Sequence, residues 1–250
     1  MKKQRLDILV VEKKLADSRA KAQALILAGE VFVVGERVSH PSKLVEANAE
    51  IEVHEKFPYV SRGALKLKAA VEAFKIDFKN KIVADIGAST GGFTDLALAL
   101  GAKKVYAIDV GTGQLAQKLR QDQRVVVMEK TNIRNVKSLP EKIDIFTIDV
   151  SFISLKLVLP KIKELTISYK LKAISSEIIA LIKPQFEATR AEASKGKGVI
   201  RDAKIHERVI AEIEETATKL SFAIKGLIES PIRGPAGNKE FLIMLSFNRG

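Results

Sequence analysis

A chain of 250 residues that is 46% hydrophobic can bury a full core and a small companion unit, so two domains are expected. Its 42 Lys and Arg outnumber 30 Asp and Glu, giving a formal net charge of +12, which makes a polyanion the leading class of partner. The absence of cysteine excludes disulfides and thiolate metal sites, and His40, His54 and His206 are too scattered for a zinc site, so no protein-bound metal is expected.

The first residues, MKKQRLDILVVEKKLADSR, hold an apolar run too short and too quickly interrupted by charge for a signal segment or a membrane span. A cytoplasmic protein without a membrane partner is the expectation. Residues 5–16 place Leu6, Leu9, Val10 and Leu15 on one helical face. Asp17 or Ser18 then caps a second helix, RAKAQALILA, which Gly29 ends in the left-handed position. EVFVVGERVSH reads as two short strands about a Gly-Glu turn, and AEIEV as a third. Two helices on a small sheet are thus expected over residues 1–60. Pro58 and its charged neighbours mark a linker at about 54–60, with a larger domain over 61–250. Residues 1–60 carry 10 basic and 9 acidic side chains, which leaves 32 against 21 for the larger domain.

From residue 81 onward, apolar strand-like runs (KIVADIG, KKVYAID, RVVVME, IDIFTIDV, EIIALIKP) alternate with helical patterns. Buried strands separated by helices predict an α/β, doubly wound, mostly parallel sheet covered on both faces. Near the end, SFAIKGLIESPI and KEFLIMLSF flank the turn RGPAGN and predict an antiparallel hairpin. A hairpin finishing such a sheet resembles the class I methyltransferase variant of the fold, as opposed to the dehydrogenase type.

IVADIGASTGGFTDLA, residues 82–97, brings a strand into a glycine turn and a helix. It has neither the G-x-G-x-x-G of a dinucleotide fingerprint nor the lysine of a phosphate loop. Gly87, Gly91 and Gly92 allow a close backbone approach, with Ser89 and Phe93 in the same turn. Asp85 at the strand end repels a pyrophosphate and favours an ammonium group. These features fit S-adenosylmethionine, a cationic ligand without phosphates. Asp109, closing the next strand, is placed to accept from its ribose hydroxyls, and Asn132 and Ile133 stand as neighbours for an adenine edge and face.

Without cysteine, methylation of cytosine carbon 5 is closed. The fourth strand ends in IDVSF with no Asp/Asn-Pro-Pro-aromatic stretch of the kind used on exocyclic amines, so a ribose hydroxyl is the natural acceptor. Such a hydroxyl needs a base or acceptor beside it, a task open to a lysine whose pKa is lowered by neighbouring cations and burial.

SRGALKL, DVSF, LIKPQFE and GNKEFLI resemble the four segments of the FtsJ-type ribose 2′-O-methyltransferases. The resemblance implies a catalytic tetrad of Lys66, Asp149, Lys183 and Glu240. Lys183 would activate or orient the 2′-hydroxyl, and Asp149 would lie by the methyl group. RLDILVVEKKLADSRAKAQALILAGEVFVVGERV resembles the RNA-binding module named after small-subunit ribosomal protein S4, implying Arg5, Lys14, Arg19 and Lys21 as RNA contacts. Together the two parts resemble the haemolysin A (TlyA) family of rRNA 2′-O-methyltransferases acting on cytidines, with ribosomal RNA or ribosomal subunits as partners. Arg62 and the glycine-lysine loop SKGKGVIRD, with Lys195, Lys197 and Arg201, are further candidate RNA contacts. A non-catalytic rRNA-binding assembly factor is the alternative, and a membrane-lysing protein, suggested only by the family's name, a third.

Overall fold

Leu6, Leu9 and Val10 share a helical face and are buried together with Ala22, Leu25 and Ile26 of the next helix. This pairing, at three- and four-residue spacing, builds the core of the smaller of two compact units, Met1–Pro58 and Tyr59–Gly250. The computed structural model describes residues 3–53, 58–169 and 174–249. His54 and residues 55–57 of the expected linker lie outside them.

In the small unit, β1 (Lys3–Arg5) leads into α1 (Leu6–Glu12) and α2 (Arg19–Leu27), followed by β2 (Val31–Val33), β3 (Glu36–Val38), β4 (Leu44–Glu46) and β5 (Ile51–Val53). The strands form a β3-β2-β5 sheet and a separate β1-β4 pair. Ser18 caps α2, its hydroxyl accepting from Lys21 N at 3.2 Å, and Gly29 ends the following turn at φ +71°. The helix expected over 5–16 is shorter at both ends. Arg5 is taken into the ladder with Leu44. After Glu12 the chain reverses with Lys14 at φ +58°, Lys14 N donating to Val11 O and Leu15 N to Val10 O, both at 2.9 Å. That is a Schellman ending with lysine where glycine is usual, which no glycine in the sequence announced.

The large unit opens with α3 (Gly63–Phe74). It continues through β6 (Ile82–Ile86), α4 (Gly92–Ala99), β7 (Lys104–Ile108), α5 (Gln117–Arg120), β8 (Val125–Met128), β9 (Ile145–Ile148) and α6 (Leu155–Ile167). Then come β10 (Ile174–Ile182), α7 (Pro184–Glu187), α8 (Arg190–Lys195), α9 (Ala203–Lys219), β11 (Ala223–Glu229) and β12 (Phe241–Arg249). The seven strands lie in the order β11-β12-β10-β9-β6-β7-β8. β6 through β10 pair in parallel, while β12 runs antiparallel between β10 and β11. The hairpin is therefore the one expected from RGPAGN, with its second strand inserted into the sheet.

Alternate residues of the strands feed two apolar layers, as a sheet covered on both sides requires. One layer joins Ala84, Phe146, Ile178 and Ile243 to α6 and α9. The other joins Val83, Ile145, Ile179 and Leu242 to α3, α4 and α5. Strand order reverses between β6 and β9, and ligands of such sheets bind in the crevice at the carboxyl ends of the strands flanking that point. α5 is a single turn, shorter than GQLAQKLRQ suggests, because Ala116 N donates to Thr90 O at 3.1 Å and so draws the preceding residues onto the glycine turn.

Candidate active site

The turn after β6 brings two backbones together. Gly87 adopts φ +83°, and a Cβ there would lie 2.5 Å from the carbonyl oxygen of Asp149, so only glycine allows the β6 and β9 loops to meet. Asp85 lies beneath this turn at 1% exposure. Its carboxylate accepts from Thr94 Oγ1 at 2.6 Å and Thr147 Oγ1 at 2.9 Å. Burial pushes its pKa up to about 6, against the two hydroxyl hydrogen bonds and with a further upward push from Asp149. Asp85 does not line either of the two cavities at this edge; its carboxylate holds the turn from below. Gly91, at φ +97°, likewise faces packing, since a Cβ would meet Leu119 Cδ1 at 2.2 Å.

The larger cavity, of about 440 Å³, is lined by Gly87, Ser89, Asp109, Asn132, Ile133 and Asp149. Asp109 accepts from Ser89 N at 2.8 Å and Gly111 N at 2.7 Å, which fixes its carboxylate at the cavity wall. Asn132 caps a short 3-10 turn, Ile133–Asn135, its Oδ1 accepting from Arg134 N at 3.1 Å. Gln114 and Thr131 also line this space, and sequence reasoning did not name them as site residues.

A smaller cavity of about 200 Å³ shares Gly87, Ser89, Asp149 and Ser151 with the first and adds Gly92, Phe93, Lys66, Lys183 and Glu240. Here residues 66, 149, 183 and 240 come together from four elements. Lys66, on α3, donates to Glu240 Oε2 at 2.6 Å and stands 3.8 Å from Asp149 Oδ2. Lys183, following β10, lies 2.6 Å from Asp149 Oδ1 as an ion pair without hydrogen-bond alignment, and it donates to Ser151 Oγ at 2.9 Å. Both lysines are 7% exposed and Glu240 is 1% exposed. Two cations and two carboxylates neutralise one another, which offsets the desolvation any one of them would suffer alone. Gln185 Nε2 extends the cluster to Glu240 Oε1 at 3.3 Å. Ser151 and Gln185 were missed from sequence, although each is two residues from a member of the tetrad.

Beside these cavities, a more open concavity of about 610 Å³ is bordered by Phe152, Phe186, Arg134 and Arg190. Phe152 is 91% exposed at φ +62°, its ring centroid 5.0 Å from that of Phe186. Sequence reasoning did not single it out, because an aromatic after a strand reads as core.

Among the candidate RNA contacts, Arg62 is exposed at the start of α3, Lys195 is exposed at the end of α8, and Lys197 and Arg201 are exposed along the loop that follows. That loop is tied down by Asn238, 2% exposed, whose Nδ2 donates to Gly198 O and whose Oδ1 accepts from Ile200 N, both at 2.9 Å. In the small unit Arg5 and Arg19 both bind Asp7, Lys14 occupies the turn after α1, and Lys21 is exposed on α2. No cluster of metal-ligating side chains occurs among the described residues, and no described helix is long and apolar enough to cross a membrane.

A sheet with its strand order reversed between β6 and β9, an antiparallel β12 and a ligand-sized cavity at the reversal belongs to the doubly wound methyltransferases. The FtsJ-like methyltransferase family matches residues 59–247 and the S4 domain residues 4–51; the chain belongs to the FtsJ-like methyltransferases and carries an S4 domain. YqxC of Bacillus subtilis, provisionally named an rRNA methyltransferase, is 47% identical over 98% of this chain and 86% of its own length. TlyA of Mycobacterium tuberculosis, named a 16S/23S rRNA (cytidine-2′-O)-methyltransferase, is 38% identical over 96% of this chain and 89% of its own. A solved structure from Streptococcus thermophilus, provisionally named a hemolysin, is 43% identical, covers 98% of this chain and 89% of its own, and superposes with a TM-score of 0.72.

Proposed function

We propose that this chain transfers a methyl group from S-adenosylmethionine to a ribose 2′-hydroxyl of cytidine in ribosomal RNA. The observation that carries this reading is the Lys66–Asp149–Lys183–Glu240 cluster, joined to the larger cavity through Asp149 and Ser151. The larger cavity fits the donor. It pairs apolar walls with an acidic acceptor at Asp109 and holds no lysine. When bound, S-adenosylmethionine supplies an electrophilic methyl group on a cationic sulfur.

Asp109 would hold the ribose hydroxyls of the donor, Asn132 and Ile133 its adenine, and the backbone of Gly87 and Ser89 its amino-acid end. Lys183, fixed between Asp149 and Ser151, is the group that engages the substrate 2′-hydroxyl. Lys66 and Glu240 hold Asp149 in place, and the cluster, neutral with two lysines and two carboxylates, gains one positive charge when it takes up the hydroxyl proton, matching the charge the sulfonium loses on methyl transfer. The exposed Phe152 beside Phe186, with Arg134 and Arg190 near, offers a stacking surface for unpaired RNA bases. Arg5, Lys14, Arg19 and Lys21 of the small unit, and Arg62, Lys195, Lys197 and Arg201 of the large one, supply contacts to the RNA backbone.

Incubating the purified chain with methyl-labelled S-adenosylmethionine and salt-washed ribosomal subunits tests the reaction. The label is expected in 2′-O-methylcytidine, at a phosphodiester resistant to alkali. Label in a base, or none at all, overturns the assignment. Lys183→Ala is expected to reduce transfer by about 10²–10⁴-fold while donor binding, read by calorimetry, changes little. A parent chain that gives no binding heat with the donor would instead favour a non-catalytic rRNA-binding factor.

A further inference from the structure

The small unit holds a buried carboxylate that the reaction above does not use. Asp7 has 0% exposure, yet four donors converge on it. Arg5 reaches it bidentately, Nε to Oδ1 and Nη2 to Oδ2, both at 3.0 Å. Arg19 Nε reaches Oδ2 at 3.0 Å and Gln23 Nε2 reaches the same oxygen at 2.8 Å. Its backbone is pinned as well, Asp7 N donating to Pro41 O at 3.0 Å. The hydrogen bond from Arg5 leads in holding this carboxyl far below the usual carboxylate range.

The two guanidinium groups remain half open to solvent, with side-chain exposures of 39% for Arg5 and 54% for Arg19. Each spends inner N–H groups on Asp7 and keeps outer ones for a ligand, because guanidinium offers five donors in a rigid fork. A pin that served only to join α1 to α2 needs one partner. Here one carboxylate gathers two cations side by side and leaves an excess of one positive charge, facing outward. Two free arginines that close would repel and would lose rotamer freedom on meeting an anion; prior anchoring removes that cost from binding.

We propose that Asp7 is a positioning residue that locks Arg5 and Arg19 into a two-pronged grip for a phosphodiester group of the RNA backbone. The inference rests on the reading of the small unit as an RNA-binding module, and it assigns a role to a residue that does not itself touch RNA.

The test is filter binding of the full chain to purified ribosomal RNA across a salt series. Asp7→Asn removes a negative charge from a surface that meets a polyanion, so charge counting alone expects tighter binding. Positioning has the opposite sign: about tenfold weaker binding and a salt slope shallower by about one, as for a lost phosphate contact. Gln23→Met changes no charge and removes one anchor of the carboxylate; a few-fold loss is expected there even if Asp7→Asn disturbs the fold, which thermal melting monitors. With Arg5→Ala and Arg19→Ala both present, Asp7→Asn should cost little more. Equal or tighter binding by folded Asp7→Asn, or unchanged affinity and salt slope in Gln23→Met, overturns the proposal. If Arg5→Ala and Arg19→Ala both leave affinity intact, the RNA-binding reading of this surface falls first and the inference with it.

Discussion

Glu240 is nearly inaccessible to water, and it accepts from Lys66 on one oxygen and from Gln185 on the other. Glu240→Ala therefore strands a buried ammonium whose remaining carboxylate, Asp149, is 3.8 Å away. A loss of about 3–5 kcal/mol is expected, read as a lowered denaturant midpoint; a change below about 1 kcal/mol would mean that Lys66 leaves the cavity for solvent. Asp85 makes a prediction with a definite sign. Its folded pKa of about 6 exceeds that of an unfolded aspartate, so the group costs nothing below about pH 4, penalises folding increasingly as pH rises to about 6, and is constant above. The full penalty is of order 3 kcal/mol. Asp85→Asn, which can still pair with Thr94 and Thr147, should gain stability over the parent at pH 7.5 relative to pH 5. Urea midpoints with equal differences at the two pH values would refute the assignment. The tetrad was legible in four short strings, but its partners were not: Ser151 and Gln185 are ordinary residues whose contacts with Lys183 and Glu240 exist only once β9, β10 and β12 are adjacent.

The loop after α8 shows what elements add to residues. Lys197 and Gly198 both take positive φ, at 51° and 84°, a course held by the side chain of Asn238, three residues beyond Pro235 of the smaller cavity. Asn238→Ala leaves Ile200 N without its acceptor, a cost of about 1–3 kcal/mol, and frees the loop carrying Lys197 and Arg201. The expected kinetic outcome is a raised KM for ribosomal RNA with kcat largely retained, measured in steady state. A loss confined to kcat would place the effect at Glu240 and not at the loop. Sequence patterns found the elements that depend on apolar periodicity, α2 and each strand of the large sheet. They misjudged the ends of α1 and the length of α5, since those boundaries are set by contacts with β4 and the glycine turn. Propensity within the segments does not contain that information.

At the level of the whole molecule, the two units have separate cores, and on the proposed reading residues 1–58 contribute RNA docking to the chemistry of 59–250. Residues 59–250 expressed alone are expected to retain donor binding and to lose RNA affinity by about 10²-fold or more at physiological salt, because several phosphate contacts are removed together. Calorimetry and filter binding check the two halves of that statement. If the truncated chain binds and methylates ribosomal RNA as the parent does, docking resides in the large unit. The net charge of +12 implies the same salt sensitivity for the intact chain, although charge alone does not say which face meets RNA.

The amino-acid order by itself determined the two-unit organisation, the alternating strands and helices and the glycine turn, because each follows from local periodicity or from residue types in a fixed string, while the tetrad was implied by resemblance to the FtsJ-type enzymes. Tertiary structure alone decided that Asp85 lies under the turn while Asp109 faces the cavity, that Lys183 stands between Asp149 and Ser151, and that one buried aspartate gathers Arg5 and Arg19. Which way a carboxylate faces is settled by the strands and helices packed around it, and those neighbours come from positions far apart along the chain.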